Sequence, residues 1–265
     1  MPASRQPLSV AIITLNAASQ LEACLQSARF ADEIVVVDSG SIDGTQALAE
    51  RYGAKVIHRE WLGFGPQKQF AVEAARHDWV LCLDADERVT PELQTSIENA
   101  LKSPSTLGPA AACMVAAFRF PRCNRFLGRY LRHGEGYPDW SLRLFDRRLA
   151  RWSSDAVHEK VETKAFVGQL TGDLVHDSAE TLAGYLTKQN RYTTLAADMA
   201  LAAGKRANFW RITFSPLIRF IKFYFLRQGF RDGLPGLIHI AIGCFNSFIK
   251  YSKMLERQNS DAALR

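Results

Sequence analysis

Cysteine is sparse and unpatterned in this chain. The five cysteines, Cys24, Cys82, Cys113, Cys123 and Cys244, are odd in number, and none stands in C-x-x-C spacing. That argues against a disulfide framework and against a zinc site. Long apolar runs are also missing. The longest charge-free stretch, Gly233 to Ile249, has 17 residues and is interrupted by Pro235, His239 and Asn246, whereas a membrane helix needs about 20 apolar residues. Met1 to Pro7 carries Arg5, and no apolar segment of signal-peptide type follows it. These absences lead us to expect a cytoplasmic protein. Neither G-x-G-x-x-G nor G-x-x-x-x-G-K-[ST] occurs, so a dinucleotide fold or a P-loop lacks its phosphate cradle.

What is present has the balance of a folded chain. Hydrophobic residues make up 47% and charged residues 23% of 265 residues, which excludes a disordered or fibrous protein. The length suits one large domain, or a domain with an appendage. The net charge of +6 conceals an asymmetry. Residues 1–118 hold 9 Lys and Arg against 14 Asp and Glu, a net of −5, and residues 119–265 hold 24 against 13, a net of +11. An acidic half joined to a basic half suggests two tasks, the basic one facing nucleic acid, a phosphate-bearing substrate or an anionic membrane.

The N-terminal half alternates two periodicities. Leu8 to Thr14, Glu33 to Asp38, Ala54 to His58 and Trp79 to Asp84 are short apolar runs of strand type. Between them lie helical patterns: one from Ser19 with Leu21, Cys24, Leu25 and Ala28 on a face, one from Asp43-Gly44-Thr45 to Tyr52, and one from Pro66 to Arg76. Gly53 suits the second helix's stop, and Thr90-Pro91-Glu92 opens a fourth helix. Such alternation predicts a mostly parallel sheet covered on both faces. Ligands of these sheets bind beyond the carboxyl ends of the strands. Those ends read Thr14-Leu15-Asn16, Asp38-Ser39-Gly40-Ser41 and Asp84-Ala85-Asp86-Glu87.

Carboxylates concentrate there. Asp84, Asp86 and Glu87 lie within four residues, and the strand geometry puts Asp84 and Asp86 on one side. Mg²⁺ and Mn²⁺ take such oxygen ligands, completed by water and substrate phosphates. A solvated acidic turn that caps the next helix is the competing reading. Asp38 can accept from a base or a ribose hydroxyl, whereas Asp43 and Ser41 can each cap the following helix.

Taken jointly, the run T-L-N, then V-V-D-S-G-S-x-D-G-T, then L-D-A-D-E resembles the nucleotide-sugar domain of the family 2 glycosyltransferases. Gly63 to Gln69 (GFGPQKQ) matches between the second and third motifs. The resemblance spans residues 8 to about 102 and continues more loosely through Tyr137-Pro138-Asp139-Trp140, Arg143-Leu144-Phe145 and Val157-His158-Glu159. Within the family, the lipopolysaccharide-core β-glucosyltransferases are most similar.

The resemblance implies an α/β fold of GT-A type, a Rossmann-like nucleotide-binding half with a mixed sheet; the composition of the tail adds a helical, membrane-associating extension. The implied boundaries are 1–178 for the catalytic domain, with a nucleotide-sugar half to about 118 and an acceptor half at 119–178, and 179–265 for the extension. Thr14, Asn16, Asp38, Ser41 and Asp43 would line the base and ribose pocket. Asp84 would reach the ribose or the metal, and Asp86 would hold Mg²⁺ or Mn²⁺ on the diphosphate. Lys68 would be the cation nearest the phosphates, and Arg143 would contact the acceptor or the diphosphate. His176 would contact the metal or the diphosphate, or serve the structure alone. Many members carry a Glu-Asp pair where this chain has His158-Glu159. Glu159 is then the implied base, with His158 beside the metal or acceptor and Asp139 as the second candidate base.

Residues 119–151 hold nine arginines and no lysine. Arginine suits bidentate grips on phosphate and carboxylate, so an acceptor bearing phosphates or acidic sugars fits, as does an arginine-rich strand face that binds nothing. From Ala179 to Ala203 the pattern is helical, with Gly204 as its stop. Phe209 to Phe230 and Leu234 to Leu255 then combine aromatic and aliphatic residues with basic flanks, and Ser215-Pro216 is expected to break or restart the first of them. Residues 205–257 carry ten Lys and Arg against Asp232 and Glu256. In-plane helices on an anionic membrane have this character; a hairpin packed on the catalytic domain, or in a dimer, is the alternative.

The expected activity is inverting, metal-dependent transfer of a sugar, glucose by preference, from a UDP-sugar to a lipopolysaccharide inner-core or other lipid-linked saccharide. The enzyme would be cytoplasmic and peripherally associated with the inner membrane. Oligomers are allowed, and no nucleic-acid partner is expected. Transfer to a polyprenyl phosphate is the rival. A nucleotidyltransferase would want a Gly-rich loop where Ala17-Ala18 stands, and a non-catalytic nucleotide- or membrane-binding module would not need the further 150 or so residues with their own motifs.

Overall fold

The apolar runs of the N-terminal half become neighbouring strands of one sheet. The structure, a computed structural model, describes residues 5–102, 115–154, 159–178 and 181–263. In chain order β1 (Leu8–Thr14), α1 (Ala18–Ser27), β2 (Glu33–Asp38), α2 (Thr45–Arg51), β3 (Lys55–His58), α3 (Phe64–Ala74) and β4 (Trp79–Asp84) alternate strictly. There follow β5 (Glu87–Val89), α4 (Pro91–Lys102), β6 (Val115–Phe126), β7 (Arg129–Tyr130) and β8 (Asp139–Asp146). Next are β9 (Ala150–Trp152), β10 (Val161–Thr163), β11 (Phe166–Gln169) and β12 (Leu174–His176). The remainder is helical: α5 (Leu182–Ala202), α6 (Phe209–Phe220), a π-helical turn at Ile221–Leu226, a 3₁₀ turn at Gly229–Asp232, and α7 (Gly233–Ala263).

The described residues fall into two compact units. The first comprises Met1–Arg122 and Asp139–Asp177; the second comprises Cys123–Pro138 and Ser178–Arg265. The segment 123–138, which the sequence pattern groups with residues 119–178, clusters with the C-terminal helices. The reason is local. Asp232, buried, accepts the backbone N–H groups of Arg132 and His133 at 2.9 and 2.7 Å, and Glu135 pairs with Arg219.

In the first unit the sheet runs β3-β2-β1-β4-β8-β6-β12-β5. The first four strands are mutually parallel; β8 and β6 then join antiparallel. This is the mixed α/β sheet expected. Every residue of β1 is buried, as befits a central strand with helices on both faces. Register decides what meets at the carboxyl edge: Thr14 lies opposite Asp38, and Ile13 opposite Asp84. The chain steps from β1 outward to β3, then returns to the other side of β1 with β4. A ligand crevice belongs at that switch.

Two apolar layers flank the sheet. One packs Leu21, Leu25, Leu93 and Ile97 on β1, β4 and Phe120; the other packs Ala71 and Val72 of α3 with Val35, Val37, Phe145 and Trp152. Helix α3 begins at Phe64, ahead of the expected Pro66, and ends at Ala74 rather than Arg76. Gly63, at φ 98°, turns the chain into it, and Pro66 sits in the first turn, where its missing N–H costs nothing. Between Phe166 and His176 the chain forms two short strands, β11 and β12. Gly172 (φ 91°) makes the break, and a Cβ there would overlap the Leu93 backbone.

In the second unit, α6 runs through Pro216 without the expected break and passes into the π-helical turn. The Gly233–Ile249 stretch, short in the sequence, lies inside a longer helix. Among the described residues one helix, Gly229–Ser260, is long and apolar enough to cross a membrane by length and composition, and 28% of its most apolar window is buried.

Candidate active site

Most of the residues named from the sequence assemble into two hydrogen-bonded groups in the first unit. The first lies past β1 and β2. Asp38, fully buried, accepts five hydrogen bonds: from Thr14 Oγ1 (2.9 Å), the N–H groups of Gly40 and Ser41 (3.0 and 2.8 Å), the Ser41 hydroxyl, and Gln46 Nε2 (2.7 Å). Ser41 Oγ in turn accepts from Asn16 N (2.8 Å), and Asn16 Oδ1 accepts from Ile42 N (3.0 Å). Asn16 holds a left-handed backbone, φ 50°, a conformation that asparagine tolerates. Asp43 accepts from Thr45 N (3.1 Å) and from Ala18 N (3.0 Å), but the N-cap of α2 is Gly44, with no side-chain capping bond from Asp43 or Ser41. Thr14, Asn16, Asp38, Ser41 and Asp43 therefore shape one loop pair, and Asp38 is spent on holding it.

Burial raises the Asp38 pKa, but the Ser41, Gln46 and Gly40 donors outweigh it and hold the carboxyl below its ordinary 3.8. A group depressed in this way stabilises the fold above the unfolded-chain pKa and loses that contribution as pH falls through the folded value. Asp38→Asn is expected to cost about 1–3 kcal/mol at neutral pH, by leaving buried donors unmatched. Urea midpoints of variant and wild type should converge in acid; a gap that persists there would remove the carboxylate's charge from the account.

The second group is a chain of charges past β4. Lys68 of α3 is 4% exposed. Its Nζ lies 3.1 Å from Asp84 Oδ1 and donates to Glu159 Oε1 at 3.2 Å. Arg143, 5% exposed, donates to Asp84 Oδ2 (2.9 Å), Glu87 Oε1 (3.1 Å) and Ser141 Oγ (3.1 Å). Arg122 reaches Glu87 Oε1 (3.4 Å) and places Nε and Nη2 on Asp139 Oδ2 at 2.9 and 2.8 Å. The Trp152 ring lies 4.9 Å from Lys68 Nζ and 5.4 Å from the Arg143 guanidinium, a cation–π floor under both. Burial opposes the Asp84 charge, but Arg143 and Lys68 overcome that and hold its carboxyl well below the usual range. Beside them a cleft of about 360 Å³ is bounded by Lys68, Asp139, Trp140, Arg143, Trp152 and Glu159.

Asp86 stands apart from this chain: its Oδ2 is 3.2 Å from His176 Nε2. His158 lies outside the described residues. Sequence pattern alone does not single out Glu87 as a hub. It is fully buried, and besides the two arginines it accepts the Asp84 N–H at 3.0 Å. The alternation in β5, buried Glu87 and Val89 around Arg88, is the signal that could have found it. Gly65 lies in the Gly63–Gln69 motif, but the sequence gives it no role of its own. A Cβ on it would overlap the Ser153 carbonyl oxygen and come within 3.4 Å of Glu159 Cβ. Gly65→Ala is expected to destabilise by about 1–3 kcal/mol through overpacking and to displace Glu159 from Lys68. Unchanged denaturation and unchanged turnover would contradict that close approach.

A divalent cation fits these residues. Asp84 Oδ1 is buried and receives no well-directed hydrogen bond, its near neighbour being the Lys68 ammonium at 3.1 Å. The chain of charges holds four carboxylates (Asp84, Glu87, Asp139, Glu159) against three cations (Lys68, Arg122, Arg143), leaving it negative before Asp86 is added. Among the described residues no three His, Cys, Asp or Glu side chains converge on one point. The shell would therefore need phosphate and water oxygens, which is usual for Mg²⁺.

Residues 9–167 match the sequence profile of glycosyl transferase family 2. The chain is 33% identical over 258 residues to the lipopolysaccharide core biosynthesis glycosyltransferase LpsC of Rhizobium meliloti, covering 95% of this chain and 93% of that protein. It is 30% identical over 263 residues to an uncharacterized glycosyltransferase of Rickettsia felis, covering 95% and 90%. The fold is similar to that of the mannosyltransferase PcManGT of Pyrobaculum calidifontis, solved with GDP-Man and Mn²⁺, with a TM-score of 0.52 and 19% identity over 96% of this chain and 86% of that one.

Proposed function

Because the chain belongs to glycosyl transferase family 2, we propose that it is an inverting, metal-dependent enzyme that moves glucose from a UDP-sugar to a lipopolysaccharide inner-core saccharide. The reaction would take place on the cytoplasmic face of an anionic membrane. One observation carries the reading: Lys68 joins Asp84 at the end of β4 to Glu159 across the cleft, so that donor and acceptor chemistry would meet at one buried ammonium. Asp84 and Asp86 would hold Mg²⁺ or Mn²⁺, with His176 orienting Asp86. The cation when bound supplies charge to the leaving diphosphate.

The chain's own residues do the rest. The loop pair fixed by Asp38 offers Thr14, Asn16, Ser41 and Asp43 around the base and ribose. Glu159 takes the proton of the acceptor hydroxyl as that oxygen bonds to the anomeric carbon, and one base suffices for a single displacement. Asp139 is less suited, since Arg122 grips it with two nitrogens. Arg143 is tied to Asp84 and Glu87, so its part is to hold Asp84 in place beside the diphosphate. The arginines of residues 119–151 favour a phosphate-bearing acceptor. The relative named for lipopolysaccharide core biosynthesis, similar over nearly its whole length, favours a core saccharide over a polyprenyl phosphate.

The test is donor binding and hydrolysis across a panel of UDP- and GDP-sugars, with Mg²⁺, Mn²⁺ or a chelator. Metal-dependent binding of one UDP-sugar, weakened at least about tenfold in Asp86→Ala, is the expected result. Binding of a GDP-sugar alone would refute the uridine assignment, and metal-independent binding would refute the role of Asp86.

A further inference from the structure

The helices of the second unit turn a polar stripe inward and leave large apolar side chains outside. Every seventh residue along one face of α7 is polar: His239, Asn246 and Lys253. Each is bonded to α5. His239 Nε2 shares a hydrogen bond with the Tyr185 hydroxyl (3.2 Å), Asn246 Nδ2 donates to Gln189 Oε1 (2.8 Å), and Lys253 Nζ donates to Asn190 Oδ1, Thr193 Oγ1 and Thr194 Oγ1 (2.7, 3.0 and 2.7 Å). On the α6 side, Ser247, 8% exposed, meets Ser215 hydroxyl to hydroxyl at 2.7 Å. The apolar core between α5 and α7 is small: Ala197, Ala200, Ala207 and Met254, with Leu201 and Tyr251 packed against it.

Ile240 and Met254 of α7 are buried, but many of the large apolar side chains point the other way. On α7, Leu234, Phe245 and Phe248 are 66%, 58% and 42% exposed, and α6 has no buried residue, with Phe209 and Trp210 at 69% and 65%. A helix of a soluble protein turns its apolar stripe to the core. Among acyl chains the preference reverses, because lipid is as apolar as leucine and interhelical hydrogen bonds hold the helices together.

We infer that this unit inserts α6 and α7 into the acyl region of an anionic phospholipid leaflet, with the α5–α7 polar stripe sealed inside. Charge selects lipid over a second copy of the chain. Residues 205–257 carry ten Lys and Arg against two acids; Lys253 is held inside the stripe, Arg219 and Arg257 pair with Glu135 and Asp198, and Asp232 is buried against His133, which leaves seven cations against Glu256. Such a surface attracts anionic headgroups and repels its own copy. The inference rests on the membrane location proposed above and goes beyond it in depth, since adsorption among headgroups would leave the outward phenylalanines in water.

The test uses the full chain with vesicles of phosphatidylethanolamine and phosphatidylglycerol that carry a photoreactive group at the acyl-chain terminus. The chain should stay bound through a wash in about 1 M salt, where screening acts beyond about 3 Å, and crosslinks should map to outward residues of α6 and α7. The double variant Phe245→Asp/Phe248→Asp, its helix content checked by circular dichroism, should bind vesicles at least about tenfold more weakly. Release by salt, crosslinks confined to a headgroup-borne reagent, or a detergent-free dimer that shields the same residues would each overturn the inference. Donor hydrolysis on the same samples keeps the two readings separate: its absence with insertion intact would remove the transferase reading and leave this one standing.

Discussion

Replacing Glu159 by glutamine is expected to lower kcat by about 10²–10⁴-fold, the span that a positioned general base contributes. The substitution keeps the size of the side chain and a carbonyl that Lys68 can still reach, so the 3.2 Å contact between Lys68 and residue 159 need not collapse. The loss should therefore appear in turnover, with the donor KM little changed, because Glu159 is assigned to the acceptor hydroxyl. Asp139→Asn is the matched comparison. Its carboxylate is already committed to Arg122, so its neutralisation should reduce turnover far less. Steady-state kinetics of the two variants decide between them. Equal losses, or a larger one in Asp139→Asn, would move the base to Asp139.

Glu87→Ala is expected to destabilise the protein by about 3–5 kcal/mol, the cost of removing one partner from a buried ionic network. Glu87 is fully buried, and it stands between Arg143 and Arg122 while accepting the Asp84 N–H. Its removal leaves Arg143, whose Nη1 already lacks a partner, with Asp84 as its remaining carboxylate. Glu87→Gln retains an acceptor oxygen for the arginines and should recover part of the loss, which separates charge from shape. Equilibrium urea unfolding of both variants measures this. If alanine costs less than about 1 kcal/mol, the figure for an exposed ion pair, Glu87 is not the hub of a buried network. Metal-dependent donor binding should weaken in parallel, since Arg143 would be free to take Asp84 away from a cation.

Some of these relations are legible in the sequence. The apolar runs of β1, β2 and β4 and the aspartates that end two of them follow from strand period and sheet class, because central parallel strands are apolar through their middles, with Ser9 and Glu33 only near the starts of β1 and β2. What the aspartates do there is not legible. Local pattern has Asp38 accept from a ligand, yet Thr14, Ser41, Gln46 and Gly40 already saturate it. It places Asp84 and Asp86 together on one side but does not give their partners, Lys68 and Arg143 for the one and His176 for the other.

The sequence by itself determined the order of strands and helices, the carboxylates at the sheet's edge, and the basic, aromatic character of the tail, since each is a matter of local period and composition. Tertiary structure alone decided the partners. Lys68 and Glu159 are 91 residues apart, and Arg143 and Glu87 are 56 apart; ion pairs at such separations depend on register and on helix placement, which local pattern does not encode. The same holds for the tail. Its composition announced apolar helices, but only their packing, through the bonds of His239, Asn246 and Lys253 to α5, turned the polar stripe inward and left the phenylalanines outside.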